Sequence, residues 1–254
     1  MKIETIQTGW TLVSSSVPDR SKHKWKKAYS RLFQSKSSRI KVPVKCFYVS
    51  VAGHSFLIDA GWSEQVVENA KGHLGFGLNF ASEPVMQKTE SANHQLNGKP
   101  IECILMTHLD CDHVSGVHDF PKTKIICAKE EYDYAQKNRI RYGKLLNGLT
   151  FEYLDFKADA QAIFGKASDV FGDGSVIAYL TPTHSAGSVI YKITENGKCA
   201  LVVGDNGYMK ASWEKGILPG PLYDSDNMLK CLNWINEKSR DENCLGVFCA
   251  HEPV

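Results

Sequence analysis

Thr107-His108-Leu109-Asp110-Cys111-Asp112-His113-Val114-Ser115-Gly116 places four side chains able to bind a metal ion, His108, Asp110, Asp112 and His113, within six positions. Before it, Ile101, Ile104, Leu105 and Met106 form a short apolar run of the kind that makes a buried strand, and Gly116 closes a turn behind it. The cluster therefore belongs just past the C-terminal end of a strand, where α/β sheets hold their sites. A loop rich in Asp and His can also be a plain solvated turn, so the reading depends on the rest of the chain.

Three more polar residues repeat the same placement. His184 follows the apolar run Val176 to Leu180 through Thr181-Pro182-Thr183, Asp205 follows Cys199 to Val203 through Gly204, and His251 follows Leu245 to Cys249. All seven residues are expected on one sheet edge. Carboxylates mixed with imidazoles suit zinc, manganese or iron, and the number of ligands suffices for two ions roughly 3.5 Å apart.

The remaining composition is that of a globular protein with a real core: 254 residues, 43% hydrophobic and 23% charged. No apolar run of membrane-spanning length occurs and the N-terminus lacks the apolar stretch of a signal peptide, so a cytoplasmic protein without membrane contact is expected. The eight cysteines contain no C-x-x-C pair and read as small buried hydrophobes in a reducing compartment. Cys111 lies between two candidate ligands, and alternation of side-chain direction should turn it away from the metal. Net charge is +2, unevenly spread. Residues 20 to 41 carry nine Lys or Arg and no acid, leaving 21 basic against 28 acidic residues elsewhere, or −7. This segment is either a solvated face or a rim that attracts an anion. Within it Trp25, Tyr29, Leu32 and Phe33 form an apolar helical stripe.

Along the chain, residues 1 to 16 read as a strand with a turn at Gly9-Trp10. A hairpin follows, from Cys46 to Val51 and Ser55 to Ile58, ending in Asp59-Ala60-Gly61. A helix beginning near Ser63 is expected to break at Gly72, Gly75 and Gly77, and His73 and His94 read as surface histidines. Lys124 to Ala128 predicts a strand, Glu130 to Ile140 a helix, and Leu149 to Leu154 a strand. Strands at Val176 to Leu180, Ser188 to Ile193 and Cys199 to Val203 follow, with a turn at Glu195-Asn196-Gly197. The helix Ser225 to Lys238 should bury Met228, Leu229, Leu232 and Ile235 behind a cap at Ser225 or Asp226. With no linker and no repeat, one α/β domain spanning 1–254 is expected.

The order of these motifs resembles the metallo-β-lactamase superfamily, in which H-x-H-x-D-H precedes a His, a bridging Asp and a final His. The resemblance runs from Asp59 to His251 and implies a four-layer αβ/βα sandwich. Carried over, it assigns His108, Asp110 and His184 to a first divalent metal ion, Asp112, His113 and His251 to a second, and Asp205 to a bridge between them. The chain departs from the pattern at Asp110, which replaces a histidine and gives H-x-D-x-D-H. A harder, charged ligand there should favour manganese or iron relative to zinc.

Within the superfamily the chain is similar to the N-acyl homoserine lactonases. The segments carrying this are Val42 to Tyr48, Ile58-Asp59-Ala60-Gly61, Thr181 to Gly187 and Asp205-Asn206-Gly207-Tyr208. The resemblance implies a hydrolase that opens a lactone or related ester of small-molecule size; the basic segment leaves room for an anionic substrate, and the absence of interleaved aromatics across that segment argues against nucleic acid. Tyr208 would contact the substrate carbonyl, Asp112 would shuttle the proton, Asp59 would orient a ligating histidine, and residues 20 to 41 would line the entrance. A glyoxalase II-like thioesterase and a phosphodiesterase or nuclease use similar metal sets, and a metal or ligand sensor is the rival outside enzymes.

Overall fold

The computed structural model describes residues 1–22 and 38–252. The stripe expected on Trp25, Tyr29, Leu32 and Phe33, and most of the basic segment, lie outside the described residues. Two sheets stack face to face. The first has the order β4-β1-β2-β3-β5-β6-β7, from β1 (Lys2–Ser14), β2 (Arg39–Val51), β3 (His54–Ile58), β4 (Glu83–Val85), β5 (Cys103–Leu105), β6 (Lys124–Cys127) and β7 (Phe151–Tyr153). The second has the order β13-β12-β11-β10-β9-β8, from β8 (Lys157–Ala158), β9 (Lys166–Asp169), β10 (Val176–Leu180), β11 (Val189–Glu195), β12 (Lys198–Val202) and β13 (Cys244–Phe248).

Side-chain alternation along the strands explains why both sheets are covered on both faces. In β2, Phe47, Val49 and Val51 point into the space between the sheets, while Val44, Cys46 and Tyr48 point to the other side. The inner layer is completed by Val176, Ala178 and Leu180 of β10 with Val189, Tyr191 and Ile193 of β11. Outside the first sheet, the core takes in Val66 and Leu74 of α1 (Gln65–Leu74) and Leu96 of α3 (Ala92–Leu96). Outside the second, α8 (Ser225–Lys238) and Trp213 of α7 (Lys210–Lys215) cover Ile190, Leu201 and Val203. The result is the expected helix, sheet, sheet, helix layering. Among the described residues no helix is long and apolar enough to cross a membrane.

The departures from expectation have local causes. No turn interrupts β1 at Gly9: a register shift between Gln7 and Trp10 absorbs the irregularity, and Gly9 takes φ 88°. α1 is kinked at Asn69, which leaves helical geometry at φ −156°, ψ 79°, runs on past Gly72 to Leu74, and a separate α2 (Phe76–Ala81) follows Gly75. The expected helix from Glu130 splits into α5 (Lys129–Lys137) and α6 (Arg139–Tyr142), because Asn138 leaves helical geometry at φ −118°, ψ 52°. In α8 the buried stripe is Met228, Cys231, Leu232 and Ile235, while Leu229 is exposed. Its cap is Asp224, which accepts from the backbone N–H of Asp226 and Asn227 and contributes about 1 kcal/mol.

β3, β5, β6 and β7 are parallel, so Asp59 and the 107–116 stretch leave the first sheet at the same edge. β10 and β12 both pair antiparallel with β11, and β12 runs parallel to β13, so His184, Asp205 and His251 all follow the same end of the second sheet.

Candidate metal centre

Short, heavily bonded connections hold each of these residues. Asp110 sits at the N-cap position of α4 (Cys111–Val114), a single turn that carries Asp112 and His113. The loop after β10 is closed by Thr181 donating its N–H to Ser188 O at 2.8 Å. Asn206 ties that loop to the Asp205 turn: its Oδ1 accepts from Thr181, Thr183 and Ser188 hydroxyls, and its Nδ2 donates to Val203 O and Val189 O. His251 donates from Nδ1 to Pro43 O at 2.8 Å, which leaves Nε2 to face the centre.

Two groups of ligand atoms converge: His108, His184 and Asp205 in one, Asp112, His113 and His251 in the other. In the first, Asp205 Oδ2 lies 3.8 Å from His108 Nε2 and 3.7 Å from His184 Nε2. In the second, His251 Nε2 lies 3.6 Å from Asp112 Oδ2. Asp205 Oδ1 reaches across to this group, 3.3 Å from His113 Nε2 and 3.2 Å from His251 Nε2. One carboxylate thus touches both groups with different oxygens.

The donor set fits divalent cations. His108 Nε2, His113 Nε2 and Asp205 Oδ1 are buried and meet no hydrogen-bond partner among the described residues, a costly state for polar atoms unless something binds between them. Burial opposes ionisation of Asp205, yet His251 and His113 hold its carboxyl well below the usual range. Burial likewise works against a charged His113, and Asp205 and Asp59 overcome it to raise that imidazole well above its ordinary value. The negative field that draws a proton to these groups draws a metal ion in the same way.

Asp59, expected to orient a histidine, does so for two. Its carboxylate accepts from Thr107 N at 2.8 Å, Thr107 Oγ1 at 2.7 Å and His113 Nδ1 at 2.8 Å. Thr107 Oγ1, its hydrogen already given to Asp59, accepts from His108 Nδ1 at 3.0 Å. Both imidazoles therefore carry hydrogen on Nδ1 and turn Nε2 toward the centre, where a metal ion would take the place of a proton.

Two residues were missed by sequence reasoning. Glu131 is fully buried and accepts from Leu109 N at 3.0 Å, Tyr142 Oη at 3.1 Å and Gly187 N at 3.2 Å, so it pins the motif, α6 and the His184 loop together. Arg141 grips Asp110: Nε donates to Oδ1 and Nη2 to Oδ2, each at 2.7 Å. Asp110 Oδ2 is also 2.9 Å from His184 Nε2 and 3.6 Å from His108 Nε2, beside the first group but with both oxygens held by the guanidinium. Burial opposes the charge of Asp110, and Arg141 overrides it to keep the carboxyl well below its ordinary range. The extra negative charge behind the expected manganese or iron preference is thus offset by Arg141. A cation near Asp110 could have been sought in the sequence, but no local pattern singles out one of 30 basic residues.

Cys111 packs into the core outside the first sheet, apart from the two groups of converging ligand atoms, and burial pushes its thiol well up. His94 is exposed, as expected. His73 is half-buried and shares a hydrogen bond with Ser115 Oγ at 2.9 Å. A cavity of about 940 Å³ opens onto the centre at Asp110, Asp112 and His251, with Tyr208 in its wall. The Tyr208 ring stacks on His251 with centroids 4.9 Å apart, and burial, then Asp205 and Asp112, raise its phenol well above its ordinary value.

Comparison with known proteins agrees with this geometry. An N-acyl homoserine lactonase, AttM, from Rhizobium radiobacter is 24% identical over 237 residues, covering 88% of this chain and 87% of that protein. An N-acyl homoserine lactonase from Bacillus cereus is 26% identical over 224 residues, covering 84% and 82%. An N-acyl homoserine lactone hydrolase solved with N-hexanoyl-L-homoserine at its catalytic metal centre superposes with a TM-score of 0.76 at 22% identity, covering 99% of this chain and 93% of that one. The profile of the metallo-beta-lactamase superfamily matches residues 39–242. With that match over most of its length and two His/Asp groups meeting at one edge of the sandwich, the chain belongs to the metallo-beta-lactamase superfamily and is a metal-dependent hydrolase.

Proposed function

We propose that the protein opens the ring ester of an acylated lactone, of the N-acyl homoserine lactone type. In this reading His108, His184 and Asp205, with Asp110 beside them, hold one divalent ion, and Asp112, His113 and His251 hold a second that Asp205 shares. The observation that carries it is the cavity: about 940 Å³, walled by Val13, Val42, Phe76, Leu78 and Phe80, and ending on Asp112, His251 and Tyr208. An apolar chamber beside a polar centre suits an acyl chain attached to a small polar ester.

Bound metal ions would lower the pKa of a water toward neutrality and polarise the ester carbonyl. The chain's own residues supply the remainder. The apolar wall binds the acyl chain and excludes water from the ester. Tyr208, kept protonated by its burial and acidic neighbours, donates its hydroxyl hydrogen to the carbonyl oxygen as negative charge develops there. Asp112, partly exposed at the cavity floor, takes a proton from the attacking water and passes it to the leaving alkoxide.

The test is a substrate panel: homoserine lactones with acyl chains of graded length, an acyl thioester, and bis-p-nitrophenyl phosphate. The expected result is lactone kcat/KM that rises with chain length and exceeds both other classes by at least about tenfold, since each buried methylene adds roughly 0.8 kcal/mol. A preference for the thioester or the phosphodiester, or indifference to chain length, would contradict it.

A further inference from the structure

The two halves of the centre are not equivalent, and Arg141 makes the difference. Its guanidinium lies across the first half: besides the paired bonds to Asp110, Nη2 stands 2.8 Å from His184 Nε2, an atom also 2.9 Å from Asp110 Oδ2, and Nη1 donates to His184 O at 3.3 Å. Whether it accepts from Arg141 or donates to Asp110, His184 Nε2 has no lone pair left for a metal ion while the Arg141–Asp110 pair is in place. The positive charge also cancels that of Asp110, and it would repel a divalent ion placed between His108, His184 and Asp205. Among the described residues, Asp112, His113 and His251 in the second half form ion pairs with acidic and histidine partners alone.

The placement is built into the fold. The break at Asn138 turns α6 away from the line of α5, and Tyr142 anchors α6 by donating to the buried Glu131. Glu131 also holds Leu109 and Gly187 on either side of Asp110 and His184. Arg141 is therefore delivered to the first half by the same carboxylate that positions two of its neighbours.

We propose that Arg141 and a metal ion are alternative partners of Asp110 and His184, so that the centre fills in order: the Asp112, His113, His251 half first, and the His108, His184 half only when Arg141 gives up His184. This rests on the metal-centre reading above. Arg141 is then a residue that sets occupancy rather than one that touches substrate, and the protein holds one metal ion over a range of concentrations in which a symmetric centre would hold two.

The experiment is titration of the metal-free protein with Co²⁺, followed by calorimetry and by the visible ligand-field bands of bound cobalt. The wild-type protein is expected to bind in two steps at least about tenfold apart. Arg141→Met, which keeps much of the apolar stem and removes the cation, should tighten the weaker step by about tenfold or more while moving the tighter step less than about threefold. Arg141→Lys keeps the charge but has a single ammonium, which cannot span Asp110 and His184 together; it should tighten the weaker step by a smaller factor and guards against a folding defect in the methionine variant. Two steps of unchanged spacing in both variants, or a weaker step that weakens further, would overturn the proposal while leaving the metal centre standing. No cobalt binding by the wild-type protein or either variant would overturn the metal-centre reading, and the proposal with it.

Discussion

Asp59 has a left-handed backbone, φ 57°, directly after β3, a conformation a non-glycine residue adopts at some cost. What offsets that cost is the carboxylate fan: Thr107 N, Thr107 Oγ1 and His113 Nδ1 all bond to it in a fully buried position. Asn tolerates the same backbone and is nearly the same size, so Asp59→Asn isolates the bonding. Its amide can accept from one partner but turns N–H groups toward others, which favours the His113 tautomer with hydrogen on Nε2, the atom that faces Asp205. Metal affinity of the second half is expected to fall about 10- to 100-fold, read by competition with a chelating dye. An unchanged affinity would mean that Asp59 serves the backbone only.

At the scale of elements, Gly187 shows how tightly the His184 loop is docked. A Cβ there would stand 2.0 Å from Glu131 N, against the first turn of α5, so the loop or the helix would have to move. Gly187→Ala should cost about 1–3 kcal/mol in chemical denaturation. A loss under about 0.5 kcal/mol would show that the loop has slack. This contact also marks where sequence reading ends. Strand ends and the spacing of His108, Asp110, Asp112 and His113 are local properties, and an apolar run followed by a polar residue announces them. Glu131 and Arg141 are not legible in that way. Each looks like an ordinary charge on a short helix, and their roles arise from contacts across 22 and 31 positions of chain. The α5–α6 break is hidden for a related reason: a single Asn is a weak helix breaker, and what fixes the break is the Asn138 amide donating to Tyr134 O while Tyr142 is drawn inward by Glu131. The α8 stripe was misassigned by one neighbour, Leu229 for Cys231, since both lie within a single helical turn of the buried face.

For the whole molecule, the decisive fact is that two separate sheets deliver their strand ends to one place. Asp59 and the 107–116 stretch come from the first, and His184, Asp205 and His251 from the second. The layer between the sheets, Phe47, Phe56 and Leu105 against Val176, Val189 and Tyr191, sets their spacing. Tyr191 adds a direct tie by donating to Met106 O at 2.9 Å, immediately before the motif. A centre assembled this way exists only in the folded chain, so metal binding and folding should be linked. The most direct measurement is equilibrium dialysis of the metal-free protein against saturating Zn²⁺, Mn²⁺ or Fe²⁺, followed by elemental analysis. The geometry predicts about two ions per chain with at least one of these metals, as expected for a shared-carboxylate pair; binding of less than about half an ion per chain with all three would contradict it.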